Sequence, residues 1–346
     1  MIATDLLGRV GRRGPVAVVS AIVIAALAPC AASGAPGNLG SGADPAVAVD
    51  AGGTAYIAWI GVEPSVTSLH FCRLPRGTTS CQAVTIAAPG TSLTRPFVAV
   101  DGQTVRVISY RYGLEAPSPF SAVYLFTSTD GGATFDAGVP VGTDIAMSDA
   151  AQGPGGGVSL VTHADTSGEH YQRVPTDGSP AATTSALLST THPYSGTVAL
   201  LDGTSPLAVY ADANANAEFR VCEGCGAAKD PNDVANWSAP QDIGIAESPH
   251  LAAGPGGLFL MASNALVGGE LLVRRYGGGT FGAGVRLPNG TGETPQSYLT
   301  QDPGGRLHAL WPRIDADATR LYYATSDDGA QWRQGALFAG AEAFNG

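Results

Sequence analysis

Lysine is nearly absent from this 346-residue chain; Lys229 stands alone. Arginine does not make up the difference, because acidic residues outnumber basic ones 29 to 18, for a formal net charge of −11 at pH 7. Nucleic-acid binding rests on a basic face that displaces counter-ions from phosphates, and this chain has none to offer. The acid excess serves solubility. G-x-S-x-G, phosphate-loop and H-E-x-x-H phrases are also missing. The six histidines are scattered without metal-ligand spacing, and His70 and His308 fall in strand-like runs where a structural role is expected. No cofactor is implied. The one cation candidate is a weak Ca²⁺ site at Asp315 and Asp317, which read otherwise as a solvated loop.

Long apolar runs are confined to the start. Residues 1–34 read as a signal peptide, with Arg9, Arg12 and Arg13 as the basic region and Val16 to Ala28 as the apolar core. That core is too short to span a membrane. A twin-arginine signal is disfavoured by Gly14-Pro15 after the arginine pair. Lipid attachment at Cys30 is disfavoured by Pro29 in front of it. Residues 35–44 form a Gly/Ser/Ala-rich lead-in. A secreted chain follows, with four of the five cysteines in an oxidising setting.

What is abundant is glycine, with 47 residues, and proline, with 24. They punctuate a repeat. A short turn phrase begins at Asp50, Asp101, Gly153, Asp202, Gly254 and Asp302, at intervals of 48 to 52 residues. Each phrase lies between two runs of four to six apolar, β-branched and aromatic residues, such as Ala46–Val49 and Ala55–Trp59, or Phe97–Val100 and Val105–Tyr110. Such runs are strands, and the Asp/Gly turn between them makes a hairpin. A third and a weaker fourth run follow in each unit. No apolar stretch after the leader keeps a 3.6-residue period. Four antiparallel strands, six times over, predict an all-β, six-bladed β-propeller across 45–346. The blades fall at about 45–90, 91–142, 143–190, 191–244, 245–290 and 291–346. Ring closure protects edges that so many short strands would otherwise expose.

Two units carry a more specific phrase after the third strand. Ser128-Thr-Asp130-Gly-Gly132-Ala-Thr-Phe135 and Thr325-Ser-Asp327-Asp-Gly329-Ala-Gln-Trp332 both fit [ST]-x-D-x-G-x-x-[WF]. This resembles the Asp-box, or bacterial neuraminidase repeat, of the sialidase superfamily, and the repeat it belongs to covers roughly 41–346. The resemblance implies a propeller. It places the Asp-box between strands three and four, away from the active face, so Asp130 and Asp327 are expected to be structural. The Asp accepts backbone N–H bonds of its own turn, the Gly supplies positive φ, and the aromatic packs beneath. Cys72 and Cys222 occupy the register that Thr127 holds before the Asp-box of the second unit. Pairs Cys72–Cys81 and Cys222–Cys225 would therefore staple the same turn where the box is missing. Cys222-Glu-Gly-Cys225 is alternatively a redox motif, but the βαβ setting of that chemistry is missing. A zinc site lacks further clustered ligands.

Ligands of propellers usually meet the loops between blades and those between strands two and three. Those loops hold the candidate ligand-facing residues Asp44, Arg95, Arg111, Tyr112, Glu115, His192, Asp212 and Arg313. Sialidase activity, as the resemblance implies it, needs three arginines on the substrate carboxylate, a Tyr–Glu pair and an Asp acid–base. Arg95, Arg111 and Arg313 are three arginines able to share one face, but two of them lie in one unit, and the family's Arg-Ile-Pro phrase is replaced by Asp44-Pro45. Tyr112 and Glu115 are close only in sequence. No catalytic set is established. The expectation is a secreted, monomeric, sialidase-like propeller that binds a glycan or an extracellular protein on its axial face. The alternatives are an exo-α-sialidase type of glycoside hydrolase and a purely structural envelope protein.

Overall fold

The structure is a computed structural model that describes residues 42–334, apart from 64–65, 88–92, 112–121, 144–145, 165–167, 175, 177–184, 192, 213, 227, 265–268, 289, 291–296 and 315–318. The chain forms six antiparallel sheets arranged as a six-bladed β-propeller, as the repeat predicts. Blade one is β1 (Ala43–Val49), β2 (Ala55–Glu63), β3 (Val66–Leu74) and β4 (Val84–Ala87); blade two is β5 (Leu93–Asp101), β6 (Thr104–Arg111), β7 (Ala122–Ser128) and β8 (Val139–Thr143). Blade three is β9 (Ala146–Gln152), β10 (Val158–Ala164), β11 (Gly168–Val174) and β12 (Ala186–Ser189); blade four is β13 (Pro193–Leu201), β14 (Ser205–Asp212), β15 (Asn216–Val221) and β16 (Gln241–Ile245). Blade five is β17 (Glu247–Gly254), β18 (Gly257–Asn264), β19 (Glu270–Gly277) and a fourth strand split into β20 (Thr280–Phe281) and β21 (Val285–Arg286). Blade six is β22 (Tyr298–Gln301), β23 (Leu307–Ile314), β24 (Thr319–Ser326) and β25 (Arg333–Gln334). All six turn phrases join the first and second strands of their blades.

The second strands are apolar on both faces because a neighbouring blade covers each face. Leu207, Ala208 and Val209 are all fully buried in β14, and Leu258 to Ala262 are buried in β18. Five contiguous apolar clusters result, one at each seam from blades one–two through five–six. Among the described residues, the seam between blades six and one has no such cluster. There Val47 and Val49 of β1 are 65% and 64% exposed.

The two disulfides are Cys72–Cys81 and Cys222–Cys225. Cys222 and Cys225 are fully buried beside Trp237, which packs on Tyr171 with ring centroids 4.9 Å apart. Among the described residues, no helix is long and apolar enough to cross a membrane.

The turn after β7 has the expected bonding. Asp130 accepts from the backbone N–H groups of Ala133 and Thr134 at 3.0 and 2.9 Å, and Gly132 N–H donates to Ser128 Oγ at 2.8 Å. After β24 the register differs from expectation by one residue. Asp328, not Asp327, accepts from Ala330 and Gln331 N–H at 2.8 and 2.9 Å, and Ser326, not Thr325, receives the Gly329 N–H at 2.9 Å. The reason is the shorter turn: Ser326-Asp-Asp328-Gly329 has one glycine where Ser128-Thr-Asp130-Gly-Gly132 has two. Asp327 points away and pairs with Arg306 at 2.7 Å on the surface. Both turn glycines are required twice over. Gly132 (φ 92°) and Gly329 (φ 75°) are left-handed. A Cβ on either would stand 2.2 or 2.4 Å from Phe71 or Phe259 of the preceding blade. Each turn thus presses on its neighbour's aromatic ring. Phe135 adds an edge contact to Phe71 at 5.0 Å.

Candidate functional site

At one end of every blade the inner strand begins and the second strand ends. We call this the upper end; the two hydrogen-bonded turns above lie at the other. Three inner strands start alike. Asp44, Arg95 and Ser248 have φ of 49°, 48° and 47°, each precedes a proline, and each sits where the ladder to the second strand shifts register. Proline pushes the residue before it out of the right-handed helical region, and its missing N–H suits a break in the ladder. A non-glycine residue in the left-handed region costs about 1–3 kcal/mol and persists only where its surroundings hold it. Here the bulges hold one another. Asp44 Oδ2 accepts the Thr94 hydroxyl at 2.7 Å and the Arg95 N–H at 3.2 Å, tying blade one to blade two. Asp149 repeats the device between blades three and four, accepting the Thr197 hydroxyl at 2.6 Å and the Val198 N–H at 3.3 Å.

These bulges gather a polar group at the axis. His250 of β17 and Tyr298 of β22 meet edge to face with ring centroids 5.6 Å apart. His250 feels the charge of Asp149. Tyr298 feels Asp44, Arg95 and Asp149. Burial holds His250 below the usual imidazole range, against the pull of Asp149, so the ring is neutral at pH 7. Burial also raises the Tyr298 phenol, with Asp44 and Asp149 adding to the shift and Arg95 opposing it. Tyr298 nevertheless keeps 52% of its surface open. Open surface together with crowding by protein atoms is what a side chain inside a central channel shows. Among the described residues, no hydrogen-bond partner is found for the His250 Nδ1, the Arg95 guanidinium or the Tyr298 hydroxyl.

A second polar group lies between blades three and four. Glu169 of β11 is 0% exposed, and among the described residues no hydrogen-bond partner is found at bonding distance for either carboxyl oxygen. Its Oε1 rests on Gly196 of β13, where a Cβ would stand 2.0 Å away. Burial lifts its pKa well above the usual carboxylate range, because the charged form would be desolvated there. The Ser148 hydroxyl offsets this only in part; it is engaged with His163 Nδ1 at 3.1 Å.

Of the residues expected to face a ligand, Asp44 and Arg95 come together at the axis. Asp212 does not join them. Its carboxylate is committed to its own loop, accepting Asn214 and Asn216 N–H at 2.8 and 2.9 Å. The Arg313 guanidinium is held over the Tyr322 ring at 5.8 Å. Arg111 ends β6, but its side chain lies outside the described residues, as do Tyr112, Glu115, His192, Asp315 and Asp317. Among the described residues, no group of three or more His, Cys, Asp or Glu side chains could hold a metal ion. The loop reading missed Asp149, His250 and Tyr298, which belong to strands. A signal was present. Each stands four residues before its turn phrase, in a column otherwise filled by Ala46, Phe97 and Val198.

No protein-family model matches the chain, and no curated protein does. Solved structures do match. A protein of unknown function from Dyadobacter fermentans aligns with a TM-score of 0.59 at 12% identity, over 82% of this chain and 94% of that one. The intramolecular trans-sialidase from Ruminococcus gnavus, in complex with oseltamivir carboxylate, aligns with a TM-score of 0.55 at 10% identity, over 87% and 94%. The Penicillium chrysogenum α-L-arabinanase, complexed with arabinobiose, aligns with a TM-score of 0.54 at 14% identity, over 82% and 92%. At such identities the likeness is one of fold: the chain is a six-bladed β-propeller.

Proposed function

We propose that this chain is a secreted glycan-binding propeller whose site is the upper, axial end, formed by Asp44, Arg95, His250 and Tyr298 with Asp149 behind them. The observation that carries the reading is the gathering of Asp44, Arg95 and His250 around the open Tyr298 ring, with the Arg95 guanidinium and the Tyr298 hydroxyl unpartnered among the described residues. Sugars present hydroxyls that both donate and accept, together with an apolar face for an aromatic ring. A structure of the same fold carrying arabinobiose supports a carbohydrate over a protein partner. The leader sequence and the two disulfides support a place outside the cell. Isothermal titration of the purified chain against a panel of oligosaccharides tests the reading. It predicts saturable binding of at least one glycan, weakened about tenfold or more by Tyr298→Ala. A chain that binds none of the panel refutes it.

A second reading, glycoside hydrolase, draws on Glu169, a carboxylic acid whose pKa burial raises, as a general acid's is. Against it, Glu169 is fully enclosed between two blades and reaches no open surface. An arginine clamp of sialidase type also lacks support, since Arg313 is held over the Tyr322 ring while Arg95 lies by Tyr298. Release of a fluorogenic leaving group from α-sialosides and α-arabinosides separates the two. Turnover abolished by Glu169→Gln would establish the hydrolase, whereas binding without turnover supports the first reading.

A further inference from the structure

We infer that the axial site selects uncharged sugars and discriminates against anionic ones such as sialosides and uronates. The inference rests on the glycan-binding reading and names the ligand class it takes.

Among the described residues, the charged groups that Tyr298 feels are Asp44 and Asp149, with two formal negative charges, and Arg95 with one positive, a net negative set. His250 adds no charge, because it is neutral at pH 7. The whole chain points the same way, with a formal net charge of −11. Anion binding needs the opposite: two or more cationic forks, or a nest of backbone N–H groups turned to the ligand. Three N–H groups near these bulges are already engaged within the protein. Arg95 N–H is bonded to Asp44, and Val198 N–H and Ala150 N–H to Asp149.

The roles of the two carboxylates differ. Both Asp149 oxygens are taken, Oδ1 by Ala150 N–H at 2.8 Å and Oδ2 by the Thr197 hydroxyl at 2.6 Å. Asp149 is thus a fixed negative charge behind His250. Asp44 uses only Oδ2 among the described residues, so Oδ1 is left to accept from a ligand hydroxyl. The ligand-facing set is then one carboxylate acceptor (Asp44), one guanidinium donor (Arg95), one phenol that does either (Tyr298) and one neutral imidazole (His250). Such an alternation fits vicinal hydroxyls. A ligand carboxylate would satisfy Arg95 alone and face both aspartates.

Paired titrations of the whole chain provide the test, with lactose against 3′-sialyllactose and arabinobiose and galactobiose against digalacturonate. At least one neutral glycan is expected to bind, and each anionic partner to bind about tenfold or more weakly at low salt, the gap narrowing as salt rises. Asp44→Asn is expected to weaken the neutral ligand. Tyr298→Phe, which keeps the ring at an exposed position, checks that weakening reflects the site and not misfolding. An anionic glycan binding more tightly than its neutral partner, or Asp44→Asn leaving the gap between neutral and anionic glycans unchanged, overturns the inference while glycan binding stands. Absence of binding by every glycan overturns both.

Discussion

Glu169 shows how a single enclosed residue sets a pH response. Its folded-state carboxyl keeps a proton that the unfolded chain, near the ordinary value of 4.5, releases. Stability from this residue therefore falls as pH rises above about 4.5, until the folded carboxyl itself ionises. Glu169→Gln preserves the shape and removes the titration. The variant should melt with the parent near pH 4.5 and higher than the parent at pH 8. A parent and variant with the same melting profile from pH 5 to 9 would show that Glu169 is stabilised by something else. Its contact with Gly196 gives a second check. Gly196→Ala places a methyl 2.0 Å from Glu169 Oε1 and 2.7 Å from Val161 Cγ1. Overpacking of this kind costs about 1–3 kcal/mol, readable as a lower urea midpoint at unchanged slope. Acid pulls the other way. Backbone and hydroxyl hydrogen bonds hold the carboxyls of Asp50, Asp130, Asp302 and Asp328 below the ordinary aspartate value of 3.8. Their contribution is complete above that value and is lost as pH falls through the folded-state values.

The element most exposed to misreading is the turn. From sequence, Thr325 and Asp327 fit the second Asp-box phrase; in the fold, Ser326 and Asp328 do the bonding. The phrase tolerates both registers, and only backbone geometry separates them. The consequence is measurable by thermal melting. Asp328→Ala leaves the Ala330 and Gln331 N–H groups without their acceptor and should lower the melting temperature. Asp327→Ala breaks only the exposed pair with Arg306 and should leave it near the parent value. Equal losses from both changes would contradict the one-residue shift. The disulfides are elements of the same kind, as each closes the stretch after a third strand. Cys72–Cys81 joins residues nine apart and Cys222–Cys225 residues three apart. Chain-entropy reasoning gives the wider loop the larger effect, about 2–3 kcal/mol.

The whole molecule is a ring of small cores, and the ring is uneven. Five seams hold continuous apolar clusters, while β1 presents Val47 and Val49 to solvent where blade one faces blade six. Removing buried surface from a packed seam is costly, so Leu207→Ala should destabilise by about 2–5 kcal/mol. Val47→Ser should change stability by no more than about 0.5 kcal/mol. Hydrogen exchange should find the amides of β1 less protected than those of β13 and β14. Equal protection around the ring would mean that the sixth seam is as well closed as the others. The turn spacing, the alternation of apolar runs with Gly and Asp, and the cysteine register were enough to determine six blades and both disulfides, because each depends on local chain geometry repeated at a fixed interval. Asp44 and Arg95, members of the proposed site, were legible as candidates for the same reason, since each precedes a proline at the start of its inner strand. Asp149, His250, Tyr298 and Glu169 were not. They sit in strands, where sequence reads them as half-buried positions. Which of them face one another across the axis or a seam depends on ring closure and on bulges that turn a strand by one residue, and those are properties of the assembled blades alone.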